Sequence, residues 1–80
     1  MKIPRDLSGR DLVKILCKHW DYVQLKQEGS HIILQTESPS RQRIPVPDHN
    51  PLRLGTLNSI LRFVARHKGV EKEDVLEEAS

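Results

Sequence analysis

Tyr22-Val23-Gln24-Leu25-Lys26-Gln27-Glu28-Gly29-Ser30-His31-Ile32-Ile33-Leu34-Gln35-Thr36 is the stretch on which the fold turns. Upstream of it, apolar residues recur every three or four positions. Within it they alternate and then run together, so the period changes from that of a helix to that of a strand. Tyr22 to Glu28 alternates, with Val23 and Leu25 on one face. His31 to Thr36 is rich in β-branched residues and reads as a second strand. Gly29-Ser30 between them is a turn signal, and the two strands form a β-hairpin. Ile32 and Ile33 are both apolar, which leaves open the sheet face that His31 occupies.

The segments on either side complete the pattern. Glu37-Ser38-Pro39-Ser40 reads as a second turn, and Arg41 to Pro47 as a third strand. Pro45 has no N–H to donate, which assigns that strand to an edge or an unpaired position. Towards the N-terminus, Ser8 is an N-cap with Asp11 completing a capping-box variant. Leu12, Ile15, Leu16 and His19 then mark one face of a helix over residues 9–18, with Arg10, Lys14 and Lys18 largely opposite. His19, beside Trp20, is expected in the core or at its boundary.

Towards the C-terminus, residues 48–55 read as a loop and Thr56 as the cap of a second helix. Its apolar stripe is Leu57, Ile60, Leu61 and Val64, and Gly69 is its stop. Residues 70–79 read as a short last helix anchored by Val75 and Leu76. The expected architecture is α+β, in the order α-β-β-β-α-α. The helices cover one face of a three-stranded antiparallel sheet, and the other face is left to solvent or ligand. The length of 80 residues suits one domain over residues 1–80.

Composition narrows the function classes. No run approaches the roughly 18 apolar residues of a membrane span. Met1 to Asp6 contains no apolar core of a secretory signal, and Cys17 is the only cysteine, so a reducing cytoplasm is expected. Charge is unevenly distributed. Residues 1–70 carry 12 Lys/Arg against 6 Asp/Glu, whereas residues 71–80 set Lys72 against five acids. A basic body of this kind suits a polyanionic partner.

Few residues can carry chemistry. His31 is the first candidate, because an imidazole titrates near neutrality and can move a proton in either direction. Gly29 and Ser30 beside it leave space for a phosphate. His49, in the Pro47-Asp48-His49 loop, is a candidate second proton-transfer or phosphate-binding group. Lys26, Arg43, Arg53 and Thr56 are candidate phosphate contacts, the last two at a helix start where free N–H groups favour anions. Taken singly, without any resemblance to a family, a structural or solvated role is the commoner one for residues such as His31 and His49. No metal site is expected: Cys17 and His19 are too closely spaced for a usual zinc pair, and no carboxylate cluster suggests a two-metal nuclease. Phosphate-binding glycine loops and the nucleophile-elbow motif are absent as well.

Three segments, in this order and spacing, carry a family resemblance. They are Gly29-Ser30-His31 before an apolar strand, Ile44-Pro45-Val46-Pro47-Asp48-His49, and Gly55-Thr56-Leu57-Asn58-Ser59-Ile60-Leu61 opening an apolar helix. From about Ser8 to Leu76 the chain resembles the HicA-type toxins of toxin–antitoxin pairs. The resemblance implies a fold like that of double-stranded-RNA-binding domains. It implies an mRNA interferase that cleaves RNA without a metal or other cofactor, with the essential histidine at His31. It also implies a HicB-type antitoxin that masks that histidine. The rival expectations are a non-catalytic RNA-binding module of the same fold and a module that binds only an acidic protein.

Overall fold

The computed structural model describes residues 6–77. Its elements are α1 (Gly9–His19), β1 (Val23–Glu28), β2 (His31–Thr36), β3 (Gln42–Pro47), α2 (Leu54–Lys68) and α3 (Lys72–Glu77). The strands form one antiparallel sheet in the order β1-β2-β3, so β2 is central and β3, with its two prolines, is an edge. This is the α+β arrangement expected from the sequence, of the double-stranded-RNA-binding-domain type. Met1 to Arg5 and residues 78–80, the end of the expected last helix, lie outside the described residues.

The central strand settles which residues face the helices. Ile32, Leu34 and Thr36 are buried, opposite Val46, Ile44 and Gln42 of β3. His31, Ile33 and Gln35 alternate with them and lie on the outer face. The helices supply Leu12 and Leu16 from α1, Leu57, Leu61 and Val64 from α2, and Val75 from α3, all at most 1% exposed. Burying each such side chain stabilises the fold by roughly 1.5–3 kcal/mol. Trp20 ties α3 into this layer, its indole N–H donating to the Val75 carbonyl at 2.9 Å.

Four sequence expectations change at this level. Val23 and Leu25 do not mark a core face: they are 61% and 44% exposed. The pairing register shifts between Gln24 and Lys26, a bulge that reverses side-chain parity and turns Val23, Lys26 and Glu28 outward. The buried residue of this segment is Tyr22, just before the strand. His19 is exposed, and Val13 takes the place in the core that the helix stripe assigned to it. Thr56 does not cap α2. The helix begins at Leu54, with Arg53 at the N-cap and no side-chain cap, because the Leu57 N–H already closes the first turn on the Arg53 carbonyl at 2.9 Å. The loop before it is correspondingly shorter, and its Leu52 is buried.

The other ends match the sequence reading. Ser8 and Asp11 form a complete capping box at α1, Gly69 closes α2, and Val75 and Leu76 anchor α3. Gly9 has a further role. A Cβ there would lie 1.9 Å from the Pro47 carbonyl oxygen, so only glycine lets α1 start against the end of β3. That contact also lets the Gly9 N–H donate to the His49 carbonyl at 2.9 Å.

Candidate functional site

The site is built on the tip of the β1–β2 hairpin. A two-residue turn, Gly29-Ser30, joins Glu28 to His31. Gly29 has φ +60° and nothing near the position of a Cβ. Its glycine therefore serves the left-handed turn, and the space beside it is open as well. Backbone and side chains clamp the turn. The Asp48 N–H donates to the Ser30 carbonyl at 2.6 Å. Gln27 Nε2 donates to the Gly29 carbonyl and to Asp48 Oδ2, both at 3.2 Å. Arg10 of α1 grips the same carboxylate through Nε at 3.0 Å and Nη2 at 3.2 Å. This guanidinium, helped by Gln27, holds the Asp48 carboxyl below its usual range. One carboxylate thus joins α1, the hairpin and the end of β3 (charge-assisted bonds of this kind are the stronger ones).

His31 stands on this clamped tip as the first residue of β2. It is exposed on the outer face, opposite Glu28 of β1 and Pro47 of β3. The same face carries Lys26, Ile33, Gln35, Arg43 and Pro45. Lys26 Nζ meets Glu28 Oε2 at 2.9 Å, which holds the Glu28 carboxyl below its usual range, with a smaller contribution from Arg43. Arg43 donates to Gln35 Oε1 through Nε at 3.2 Å and Nη2 at 2.9 Å. It lies four residues along β3 from Pro47, roughly 13 Å from the His31 end of the sheet.

The remaining sequence candidates divide. Gly29, Ser30, Lys26 and Arg43 share the hairpin or the outer face with His31. His49 lies two residues beyond Pro47, with its side chain exposed and its carbonyl holding Gly9. Arg53 and Thr56 belong to the start of α2, in the helical layer on the other side of the sheet. Behind the hairpin a cleft of about 240 Å³ is lined by Arg10, Val13, Lys14, Gln24, Gln27 and Ile32. Among the described residues no three His, Cys, Asp or Glu side chains come together as a metal-binding set. No helix among them is long and apolar enough to cross a membrane.

Sequence reasoning missed Glu28, Gln27 and Asp48. Glu28 was within reach, because a two-residue turn places its flanking residues directly opposite each other. Asp48 and Gln27 meet only through the third strand, and no local pattern reports that.

The sequence model of a family described as HicA toxin of bacterial toxin-antitoxin matches residues 9–69. The chain belongs to this family. No curated protein and no solved structure matches it. As a member of the HicA toxin family it is the toxin of a toxin–antitoxin system, and an antitoxin is its counterpart. The matched span contains α1, all three strands and α2, and so the whole clamped hairpin; α3 lies beyond it.

Proposed function

We propose that the protein is an mRNA interferase, an endoribonuclease whose proton-transfer group is His31. The observation that carries this reading is the placement of His31 outside the apolar layer, exposed at a fixed hairpin tip, with Lys26 on the same face. A phosphodiester of RNA lies across the outer face, with Lys26 next to His31 and Arg43 further along the strand. His49 lies at the other side of the tip, and Gly29 and Ser30 leave the phosphate room to approach. A neutral His31 ring takes the proton of a ribose 2′-OH. The 2′ oxygen forms a bond to phosphorus, the bond from phosphorus to the 5′ oxygen breaks, and the departing oxygen takes a proton from solvent, to which the His31 imidazolium then returns its own. The products are a 2′,3′-cyclic phosphate and a 5′-hydroxyl end. DNA lacks the attacking hydroxyl and is not a substrate. A cognate HicB-type antitoxin inhibits by covering the outer face around His31. Messenger RNA as substrate places the reaction in the cytoplasm.

The test is cleavage of labelled RNA by the purified chain in EDTA, beside His31→Ala. The parent is expected to cut and the variant to be slower by roughly 10²–10⁴-fold, the usual span of general acid–base catalysis. Equal cleavage by the two proteins removes His31 from the mechanism. RNA that is bound by the parent but stays whole leaves the non-catalytic RNA-binding module as the reading.

A further inference from the structure

Glu28 is out of place on a surface meant for a polyanion. Residues facing RNA phosphates are better neutral or basic, yet a carboxylate stands on the outer face at the centre of the site, directly opposite His31. Its ion pair with Lys26 does not explain its presence, since both side chains are more than half exposed and such pairs contribute about 0–1 kcal/mol. The turn between Glu28 and His31 is clamped by Asp48 at Ser30 and by Gln27 at Gly29, which fixes their two Cα positions as the closing pair of the hairpin. Facing side chains in such a pair have Cβ atoms about 4.5–5.5 Å apart, within reach of a carboxylate and an imidazole.

We propose that Glu28 is the positioning residue of His31: its carboxylate accepts the ring N–H that faces it, which aims the other ring nitrogen outward at the RNA. This rests on the nuclease reading above. Lys26 holds Glu28 in the free protein. An arriving phosphate competes for the Lys26 ammonium, and the carboxylate is released to His31 as substrate binds. The proton that His31 then takes from the 2′-OH creates an imidazolium beside a carboxylate, so the pair stabilises the charge that develops in the step. No proton passes to Glu28 itself. The other charged groups at this end of the sheet are Lys26 on β1, and Asp48 and His49 after β3, with Arg43 four residues further along β3 on Gln35. Asp48 is occupied by Arg10 and Gln27, so Glu28 is the carboxylate that faces the ring.

Two measurements on the full chain test this. The first is an NMR titration of the four imidazoles with an uncleavable 2′-deoxy oligonucleotide bound, in the parent and in Glu28→Gln. Opposite charges about 5 Å apart in water shift a titration midpoint by about half a pH unit. The His31 midpoint is expected to fall by about that amount in the variant, with His19 and His67 unmoved. An unmoved His31 overturns the pairing. The second is steady-state cleavage. An acid that merely faces a polyanion repels it, so its removal would tighten RNA binding and leave kcat unchanged or higher. The proposal expects kcat to drop about tenfold or more with KM unchanged or lower, and Glu28→Asp to recover part of the loss. An unchanged or raised kcat overturns the positioning role. A parent chain that shows the midpoint shift but never cuts RNA overturns the nuclease reading and keeps the pair.

Discussion

The two faces of the sheet are made from the same three strands and have almost nothing else in common. The inner face presents Ile32, Leu34, Ile44 and Val46 to three helices and is sealed from water. The outer face presents Lys26, Glu28, His31, Gln35 and Arg43, bonded mainly to one another. Adjacent residues of β2 alternate between these two worlds, so the core and the candidate site are encoded one residue apart. A sequence change on one parity can alter the fold and leave the site intact, and the reverse. The exception is Ile33, which is on the outer face and outside the helix-facing core yet only 8% exposed.

Replacing neighbours on opposite faces tests this contrast with the largest expected effect. Leu34→Ala empties a fully enclosed position on the central strand and is expected to cost about 2–5 kcal/mol in urea or thermal unfolding. Ile33→Ala removes a similar volume from the outer face, where surface side chains can close over the gap, and is expected to cost roughly 1–2 kcal/mol. Equal losses would mean that the outer face is packed as tightly as the inner one.

Gly9→Ala comes next. Alanine gains up to about 1 kcal/mol of helix propensity over glycine, but here its methyl group would meet the Pro47 carbonyl at 1.9 Å. The obstacle is backbone and cannot rotate away, so α1 must retreat from β3. A net loss of roughly 1–3 kcal/mol is expected. Because the same retreat weakens the Gly9–His49 and Arg10–Asp48 bonds, the hairpin tip loosens too. Faster amide exchange at Asp48, whose N–H is held by Ser30, is the local readout.

Asp48→Asn separates the clamp from the core by its pH dependence. The Asp48 carboxyl is held below its ordinary value by Arg10 and then Gln27. A depressed folded-state pKa gives stability that is complete above about pH 4 and is lost as pH falls through the lowered value. The variant is therefore less stable than the parent at pH 7, and the difference shrinks as the solution is acidified. A gap that stays constant down to pH 2 would show that the charge of Asp48 contributes nothing and that the loss is one of shape.

Much of this division was legible before any coordinates. The change of period at Tyr22, the Gly29-Ser30 turn, the edge proline and the capping box of α1 are local signals, and local signals fixed the order of elements. The helix stripe Leu57, Leu61, Val64 and the anchors Val75 and Leu76 were readable for the same reason. What escaped depends on contacts between distant segments. The bulge at Leu25 is a skipped residue in the pairing of β1 with β2, which alternation alone cannot report. The parity of Ile32 and Ile33 is decided by the helices that cover one of them. Gly9 reads as an ordinary helix start until β3 is placed against it. Among the site residues, His31 stood out by type and position. Its surroundings did not, because Asp48, Gln27 and Arg10 come from three different segments.

The smallest effects on stability carry the most information about the division of the surface. Lys26→Ala and Arg43→Ala change exposed groups of the outer face, and each is expected to alter folding stability by less than about 0.5 kcal/mol. Each should nevertheless reduce the salt dependence of single-stranded RNA binding, with the slope of log K against log salt falling by about 0.7 per phosphate contact removed. Arg53→Ala is the matched control: another exposed cation, expected from sequence to touch RNA, but set at the start of α2 in the helical layer. If RNA keeps to the outer face, Arg53→Ala leaves the slope where it was. If Arg53→Ala lowers the slope as far as Lys26→Ala does, the strand of RNA wraps from one layer to the other, and the separation of a folding face from a reacting face ends at the hairpin tip.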